Sequence, residues 1–484
     1  MASSSSAGIR TATEFATGLV AGSVTELVTE LVTEWVTEYA SGLVSDWELM
    51  VKLTRNPGEP IPGSVRFLLA AGVAQFFLLM AAALWPGRGF PWPGLPIMAG
   101  AFAVYAFASA RTGRPSSSPE DARNELRVIW GWAILFRLAL LPLAPELTDD
   151  FYRYLWDGHV QLQGINPYLY APADPALEAL RTPWHGLINN PTVSTVYPPL
   201  AQAVFLLNAL LGGTLLGLKI LWVSLDLCTA FFLGRVAERS GRDPRGVLTL
   251  YLWSPLLIIE TAWNGHLEPL GLVYLGLLLY VGARRWSSGL ALALATLAKF
   301  APVAALPPLW RRYGWRSVVA FGVTMALFYL PYVGAGDMLW AGLGTFAEHW
   351  RFQEGAFAVL EWVIPGALAP RVASGVIVLA VIGWTVWKSY DLERALFWIL
   401  GAGLLLSPTV HPWYVLWALP FAALRRSRGW ILLTGLVVLG YWGLESFHTQ
   451  GIWPQPLWAR LMLWVPVFAL IGLDAVRGRS GLRG

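Results

Sequence analysis

The chain has 484 residues, of which 56% are hydrophobic and only 13% are charged, and its formal net charge is +4. Soluble proteins carry about 25% charged residues, so this chain cannot cover a globular surface with polar groups, and lipid must cover much of it. The composition excludes a soluble domain, and the small basic excess, which falls in short loops, indicates membrane orientation rather than nucleic-acid binding. The single cysteine, Cys228, excludes a disulfide framework.

Residues 1–64 are predicted to form a separate, low-complexity cytoplasmic extension. Within it, Val24–Tyr39 reads VTEL-VTEL-VTEW-VTEY, which on a helix would give one apolar and one acidic stripe. Two interpretations stay open: a poorly ordered extension with the true start nearer Met50, or an amphipathic helix that binds a partner. The first residues lack a basic region followed by an apolar core, so they do not indicate a cleaved signal peptide.

Residues 65–484 are predicted to form an all-α, polytopic transmembrane helical bundle with about 12–14 spans. A span needs about 20 mostly apolar residues, and helices are the expected form because backbone groups in lipid must be satisfied within the segment. A further apolar helix, either a span or a re-entrant segment, is predicted at 197–212. The predicted spans lie near 65–85, 95–110, 127–143, 214–235, 246–262, 266–283, 288–309, 317–334, 371–388, 394–409, 411–424, 430–446 and 456–475.

Arginine clusters mark the cytoplasmic loops, and from Arg311 onward inside and outside alternate without conflict. Two segments do not fit this alternation. Residues 196–236 are long enough for two crossings where an odd number is needed, and residues 287–310 have the length of one span but cytoplasmic arginines at both ends. Half-helices broken near Pro198–Pro199 and at Pro302 would resolve both conflicts.

Two long loops, 144–196 and 335–370, are then predicted to lie outside, and loops of this length are usually functional. The first begins at the end of a span, so Asp149 and Asp150 are expected at the outer membrane surface, followed by an interfacial helix over 150–163. An adjacent Asp pair there could bind a divalent cation, act as a general base toward an alcohol, or form the acidic outer end of a span.

Several ionisable residues lie at or near predicted membrane depth, where such residues are costly and usually face a cavity. We predict that they bind substrate in such a cavity, with interface snorkelling as the alternative for the lysine and helix capping or core packing for the last histidine. For mid-span Asp226 we predict structural pairing instead. The candidate binding residues are Glu260, His266, Glu268, Lys299 and His411.

The segment TDDFYRYLWDGH…GINPY…YPPL resembles the first external loop of membrane glycosyltransferases of the GT-C superfamily. The likeness is greatest to bacterial polyprenyl-phosphomannose-dependent mannosyltransferases. Three further motifs fit: WNGHLEPL at 263–270, LAKFAPVAALP at 297–307 and SPTVHPWYVLWALPF at 407–421. The resemblance covers roughly residues 65–475.

The resemblance implies a GT-C-like fold and a catalytic aspartate at Asp149 or Asp150, since two related family patterns disagree on which. Phe151 stands where an Asp-x-Asp pattern would place its second carboxylate, so no metal site and no cofactor are implied. A departing polyprenyl phosphate needs positive charge nearby, for which Arg153 is a candidate, with an ion pair to a neighbouring aspartate as its alternative. The substrate-binding set is Arg153, Tyr154, Asp157, Tyr197, Glu260, His266, Glu268, Lys299 and His411.

The resemblance therefore predicts transfer of a hexosyl group, mannosyl by the family of greatest likeness, from a polyprenyl-phosphate sugar to a hydroxyl of an extracytoplasmic glycan or glycolipid. The expected location is the plasma (inner) membrane, with the active site outside. Membrane lipid is the expected surrounding, no nucleic-acid partner is expected, and the oligomeric state is open. Two rivals are a lipid or sugar transporter, which would bind at the midplane between related halves, and an inactive assembly subunit.

Overall fold

The computed structural model describes residues 61–84 and 94–480, so the predicted repeat helix at Val24–Tyr39 lies outside the described residues. The described part is helical, with one isolated β-bridge between Phe352 and Thr409. This confirms the predicted all-α class. The helices are α1 Gly63–Leu84, α2 Gly94–Thr112, α3 Pro119–Leu140, α4 Asp150–Leu162, α5 Pro199–Leu210, α6 Leu215–Arg239, α7 Pro244–Leu252, α8 Pro255–Ile258, α9 Glu268–Val281, α10 Arg285–Ala298, α11 Leu306–Tyr313, α12 Trp315–Tyr329, α13 Met338–His349, α14 Ala356–Val363, α15 Ala369–Trp387, α16 Leu392–Leu405, α17 Leu419–Arg425, α18 Arg428–Leu436, α19 Leu444–Gln450 and α20 Leu457–Ser480.

Within the described residues, seven helical segments are long and apolar enough to cross a membrane, and the pair α7–α8, bent by 51°, would add an eighth. These segments confirm a polytopic membrane protein. Other predicted spans correspond to shorter helices, such as α9 and α16 with 14 residues each. The seven segments are Gly63–Leu84, Gly94–Thr112, Leu215–Arg239, Trp315–Ala335, Ala369–Trp387, Arg428–Phe447 and Leu457–Asp474.

Both problematic segments are interrupted. The break predicted at Pro302 is present, whereas 196–236 is interrupted at 211–214, and Pro198 and Pro199 stand at the start of α5 instead of breaking a helix. Helix α10 ends at Ala298, Lys299 is extended, and a 3₁₀ turn at Ala301–Ala305 precedes α11. A continuous span over 288–309 is therefore wrong, because Pro302 cannot donate the backbone hydrogen bond that a helix interior requires. Helix α5 begins at Pro199 and has 12 residues, which span about 18 Å, less than the ~30 Å hydrocarbon core.

A fully buried ion pair joins α3 to α6 in the core. Arg137 Nε lies 2.5 Å from Asp226 Oδ2, and neither side chain is exposed to solvent. Arg137 Nη1 also donates to the Leu252 carbonyl at 3.0 Å, which ties α7 into the same contact. The predicted structural role of Asp226 is therefore confirmed.

The first long loop folds onto the helices instead of extending away from them. Its helix α4 crosses α5 so closely that a Cβ on Gly158 would lie 2.3 Å from the Phe205 carbonyl oxygen. The Tyr154 ring stacks on Phe205 with centroids 4.9 Å apart. This packing fixes the N-terminus of α4, where Asp149 and Asp150 lie.

Candidate functional site

The two adjacent aspartates share one amide donor from the far end of the same loop. Asn189 Nδ2 donates to Asp149 Oδ1 and to Asp150 Oδ1, each at 2.7 Å. Asp149 precedes α4 and Asp150 is its first residue, so both carboxyl groups lie at the N-terminus of this helix. Sequence reasoning missed Asn189, which lies 39 residues beyond Asp150 in a polar segment without periodicity.

The chain that leads from α3 to these aspartates is anchored by two buried donors. Lys219 Nζ, on α6, donates to the Leu143 carbonyl at 2.7 Å, and Trp263 Nε1 donates to the Ala144 carbonyl at 2.7 Å. Both donors hold backbone within six residues of Asp149. Sequence reasoning missed Lys219, although it lies in an apolar run just as Lys299 does, and the same rule would have selected it.

Behind the aspartates, a π-helical turn at Ile259–Trp263 brings Glu260 against His266. His266 Nδ1 lies 2.9 Å from Glu260 Oε2, and His266 Nε2 lies 3.8 Å from Asp150 Oδ2. Tyr441 donates to Glu260 Oε1 at 2.5 Å. Single π turns inside helices are frequent at functional sites, and here the turn aligns a carboxylate, an imidazole and Asp150.

Four aromatic rings form a continuous stack beside this pair. His266 stacks on Trp413 with centroids 3.9 Å apart, and the other face of Trp413 is covered by His411 at 4.5 Å. Phe352, from the second long loop, stacks on His411 at 4.5 Å. The stack therefore connects the WNGH motif, the HPWY motif and the second long loop in one layer.

The break between α10 and α11 places a cation in the site. Lys299 Nζ lies 2.5 Å from Glu268 Oε1 and 4.0 Å from the centre of the Tyr414 ring. Glu268 is buried, whereas the Lys299 side chain is 28% exposed. The extended backbone at Lys299 frees this residue from the helix and lets its side chain reach Glu268 at the start of α9.

Arg153 forms the predicted alternative ion pair, with its Nε 3.0 Å from Asp157 Oδ1. Asp157 Oδ2 accepts from Thr195 at 2.5 Å and from Gln202 at 2.8 Å, so this carboxylate is saturated within the protein. Tyr197 packs edge-on against Tyr154 at 5.2 Å between centroids. These residues stabilise the contact between α4 and α5, and Arg153, Tyr154 and Tyr197 also line the cavity.

A cavity of about 1710 Å³ opens in front of the aspartates. Its wall contains Asp149, Asp150, Asn189, Lys299 and His411, together with apolar side chains of α13, α15 and α16. The predicted residues thus divide into two groups. Most line the cavity directly, whereas three are buried behind its wall: Asp157, Glu260 and His266.

Burial and neighbouring charges shift the pKa values of Asp149, His266 and His411. Burial raises the pKa of Asp149 to about 6, the charge of Asp150 adds to the increase, and the Asn189 hydrogen bond opposes it. Burial disfavours the protonated form of His266, but Glu260, Asp150 and Glu268 more than offset this, so its pKa lies above the usual value. Burial, with Lys299 and His266 nearby, lowers the pKa of His411 to about 3.

The fold and the site together define a polytopic membrane protein with a large cavity, walled partly by two folded loops, that contains an activated carboxylate pair and a cation. Among the described residues, no three His, Cys, Asp or Glu side chains converge as metal ligands. The polar groups lie at one end of the helices, near the two loops. The transporter alternative predicts a central site between two related halves, and this arrangement does not resemble one.

Comparisons with known proteins identify the class more closely. Residues 86–312 match the family described as alpha-(1->6)-mannopyranosyltransferase, N-terminal domain. The chain is 23% identical over 377 residues to alpha-(1->6)-mannopyranosyltransferase A of Mycobacterium tuberculosis, covering 69% of this chain and 71% of that protein. It is 30% identical over 179 residues to the protein of the same name from Corynebacterium glutamicum, covering 35% of each. No solved structure matches the chain significantly.

These matches confirm the predicted resemblance to mannosyltransferases. They support a sugar-transferring enzyme and do not favour the transporter or the inactive subunit. The matched region 86–312 contains the Asp pair, Asn189, Glu260 and His266 and ends beyond Lys299.

Proposed function

We propose that this protein transfers a mannosyl group from a polyprenyl-phosphate donor to a hydroxyl of an extracytoplasmic glycan or glycolipid, forming an α-(1→6) linkage. The observation that carries the proposal is the Asp149–Asp150 pair, bridged by Asn189 in the wall of a cavity that also contains Lys299. The names of the similar proteins supply the sugar and the linkage. The position of the pair in loop 144–196, predicted to be external, supports the outer face.

The chemistry is a single displacement. A carboxylate of the pair accepts the proton of the acceptor hydroxyl while its oxygen forms a bond to the anomeric carbon of the donor. The bond between that carbon and the phosphate oxygen breaks, and polyprenyl phosphate leaves with the electron pair. Asp149 suits the role of base because a base is most effective when its pKa is close to the working pH.

The leaving phosphate gains negative charge and needs a cation held in place. Lys299 is the best candidate for this cation, because its side chain is partly exposed and lines the cavity, and its ammonium group is held by Glu268 and the Tyr414 ring. Arg153 also lines the cavity, but its Nε is committed to Asp157. With these cations the proposed reaction requires no metal ion, and no other cofactor is part of it.

The apolar part of the cavity wall suits the lipid portion of the donor. Phe300, Val303 and Val378 lie there beside residues of α16, and Val303 is itself 43% exposed. A polyprenyl chain could thus reach the site from the membrane, while the acceptor approaches between the two outer loops. The donor phosphate would then meet Lys299 where the apolar wall ends.

The test is transfer of labelled mannose from polyprenyl-phosphomannose to mannan-type acceptors by membranes that contain the full chain. Wild type is compared with Asp149→Asn, Asp150→Asn and the matched control Asp174→Asn, which lies in the same loop away from the cavity and caps a 3₁₀ turn that asparagine can also cap. We expect transfer to fall by at least 100-fold in one variant of the pair, at equal protein level, and to persist in the control.

Release of the labelled sugar by an α-(1→6)-specific mannosidase would establish the linkage. Absence of transfer by wild type from any polyprenyl-phosphate sugar, or full activity of both variants of the pair, would refute the proposal.

A further inference from the structure

His266 and Glu260 are buried behind the cavity wall, so they need a role other than contact with substrate. The side chain of Glu260 is fully buried and that of His266 is 1% exposed. A buried carboxylate that serves only packing is costly unless it is neutralised. Here it faces an imidazole whose other nitrogen points toward Asp150.

We propose that His266, held by Glu260, is a positioning residue that places a positive charge beside the aspartate pair and orients Asp150 next to Asp149, so that Asp149 takes the proton of the acceptor. This inference rests on the proposed function and extends it to two residues that do not touch substrate. It also assigns different roles to the two members of the pair.

The geometry gives His266 one orientation. Its backbone N–H donates to the Glu260 carbonyl at 2.8 Å, which closes the loop after the π turn. Its ring is fixed on one face by Trp413, and an aromatic face favours a cation over a neutral ring. Glu260 is fixed in turn by Tyr441 at 2.5 Å and by Asn264 at 3.1 Å.

The charges form an alternating series of Glu260, His266 and Asp150, separated by 2.9 Å and 3.8 Å. The charge of Asp150 raises the pKa of Asp149, whereas His266 lowers it, so removal of the imidazole should raise the pKa of Asp149 further. Pairs of carboxyl groups whose surroundings separate their proton affinities are a recurrent way to create one base and one charged partner. The titratable groups that interact with His266 are Glu260, Asp150, Glu268, Asp149 and His411. Tyr441 donates to Glu260, Lys299 acts on His411, and Lys219 lies beside Gly265, the residue before His266.

His411 provides a matched comparison. It is a second buried imidazole on the opposite face of the same Trp413 ring, at 4.5 Å. Among the salt bridges of the described residues, none joins His411 to a carboxylate, whereas His266 contacts Glu260. Its surroundings keep it neutral at physiological pH, so replacing it removes a ring but no charge.

The test measures initial rates of mannosyl transfer between pH 5 and pH 8.5 for the full-length protein, its His266→Gln and Glu260→Gln variants, and His411→Gln. We expect wild type to lose activity toward acid with a midpoint near pH 6. Loss of the cation moves this midpoint up by about one pH unit, which reduces transfer about fivefold at pH 6 and by only about a tenth at pH 8. Glu260→Gln should move it in the same direction, and His411→Gln should not move it.

The outcomes are distinguishable. If wild type transfers mannose but the midpoint stays fixed in Glu260→Gln and in every folded His266 variant, this inference is wrong and the proposed function stands. An equal shift in His411→Gln would also overturn it, because the effect would then belong to the ring stack. If wild type transfers nothing, the proposed function itself fails. Should His266→Gln not fold, Glu260→Gln decides alone, since the glutamine oxygen can still accept from Tyr441 and its amide can donate to Asn264 Oδ1 once the Asn264 amide turns over.

Discussion

Replacing Asp226 with leucine should destabilise the protein strongly, because Arg137 would then be buried without its carboxylate. Both side chains have zero exposure and their closest atoms are 2.5 Å apart. Removing one partner of a buried ion pair costs about 3–5 kcal/mol. Arg137 also donates to the carbonyls of Ala133 at 2.9 Å and Leu252 at 3.0 Å, so part of the cation stays compensated and we expect the lower end, about 3 kcal/mol.

The double variant Arg137→Met/Asp226→Leu removes both charges at similar volume, and it should recover most of the lost stability. The exposed pair Arg428–Asp474, with 46% and 25% of the side chains accessible, is the control. Asp474→Leu should cost no more than about 1 kcal/mol. The assay is the fraction of monodisperse protein in detergent as a function of temperature. Equal melting of Asp226→Leu and wild type, or a double variant less stable than the single one, would refute the reasoning.

Four shorter predictions concern the site and its loop. The rate of transfer by wild type should fall below pH 6, because Asp149, whose pKa is about 6, is ionised above that value and protonated below it. A transfer rate that does not change down to pH 4.5 would exclude Asp149 as the base. Asn189→Ala should reduce kcat about tenfold or more, since each charge-assisted hydrogen bond contributes about 1.5–3 kcal/mol, and an unchanged kcat would show that the bridge is dispensable. Gly158→Ala should lower the melting temperature while Gly186→Ala, which meets no atom within 4 Å, should not; equal melting would contradict the close crossing of α4 and α5. A cysteine at exposed Glu178 in a Cys228-free protein should react with a membrane-impermeant maleimide added outside intact cells, and labelling only after lysis would place loop 144–196 inside.

The outline of the fold could be predicted because it depends on local signals. Apolar runs and arginine clusters identified the helices, and the conflict at 287–310 indicated a break that the structure contains at Lys299. The number of complete spans was harder to predict. Several apolar runs end early at Pro or Gly, and α5 stops at Leu210, just before Gly212 and Gly213, both of which have a positive φ.

The site was predicted in part for the same reason. Asp149, Asp150 and Lys299 lie in short motifs, whereas their partners are distant in sequence. Tyr441 contacts Glu260 across 181 residues, and Asn189 reaches Asp149 across 40. Both partners are uncharged residues in segments where such residues are common, so neither residue type nor spacing marks them.

The distribution of charge explains why the proton should be taken at the Asp pair and not at another carboxylate near the cavity. Asp157 has Arg153, and Glu268 has Lys299, each with a cation at 3.0 Å or closer. Asp149 and Asp150 share a neutral amide donor, Asn189. Among the described residues, the ion pair recorded for them is that of His266, which is 3.8 Å from Asp150 and also contacts Glu260. Burial and the adjacent charge of Asp150 give Asp149 a raised affinity for a proton, and no lysine or arginine ion pair among the described residues offsets them. An arginine in place of Asn189 would remove that affinity, whereas an amide keeps the geometry and leaves the base active.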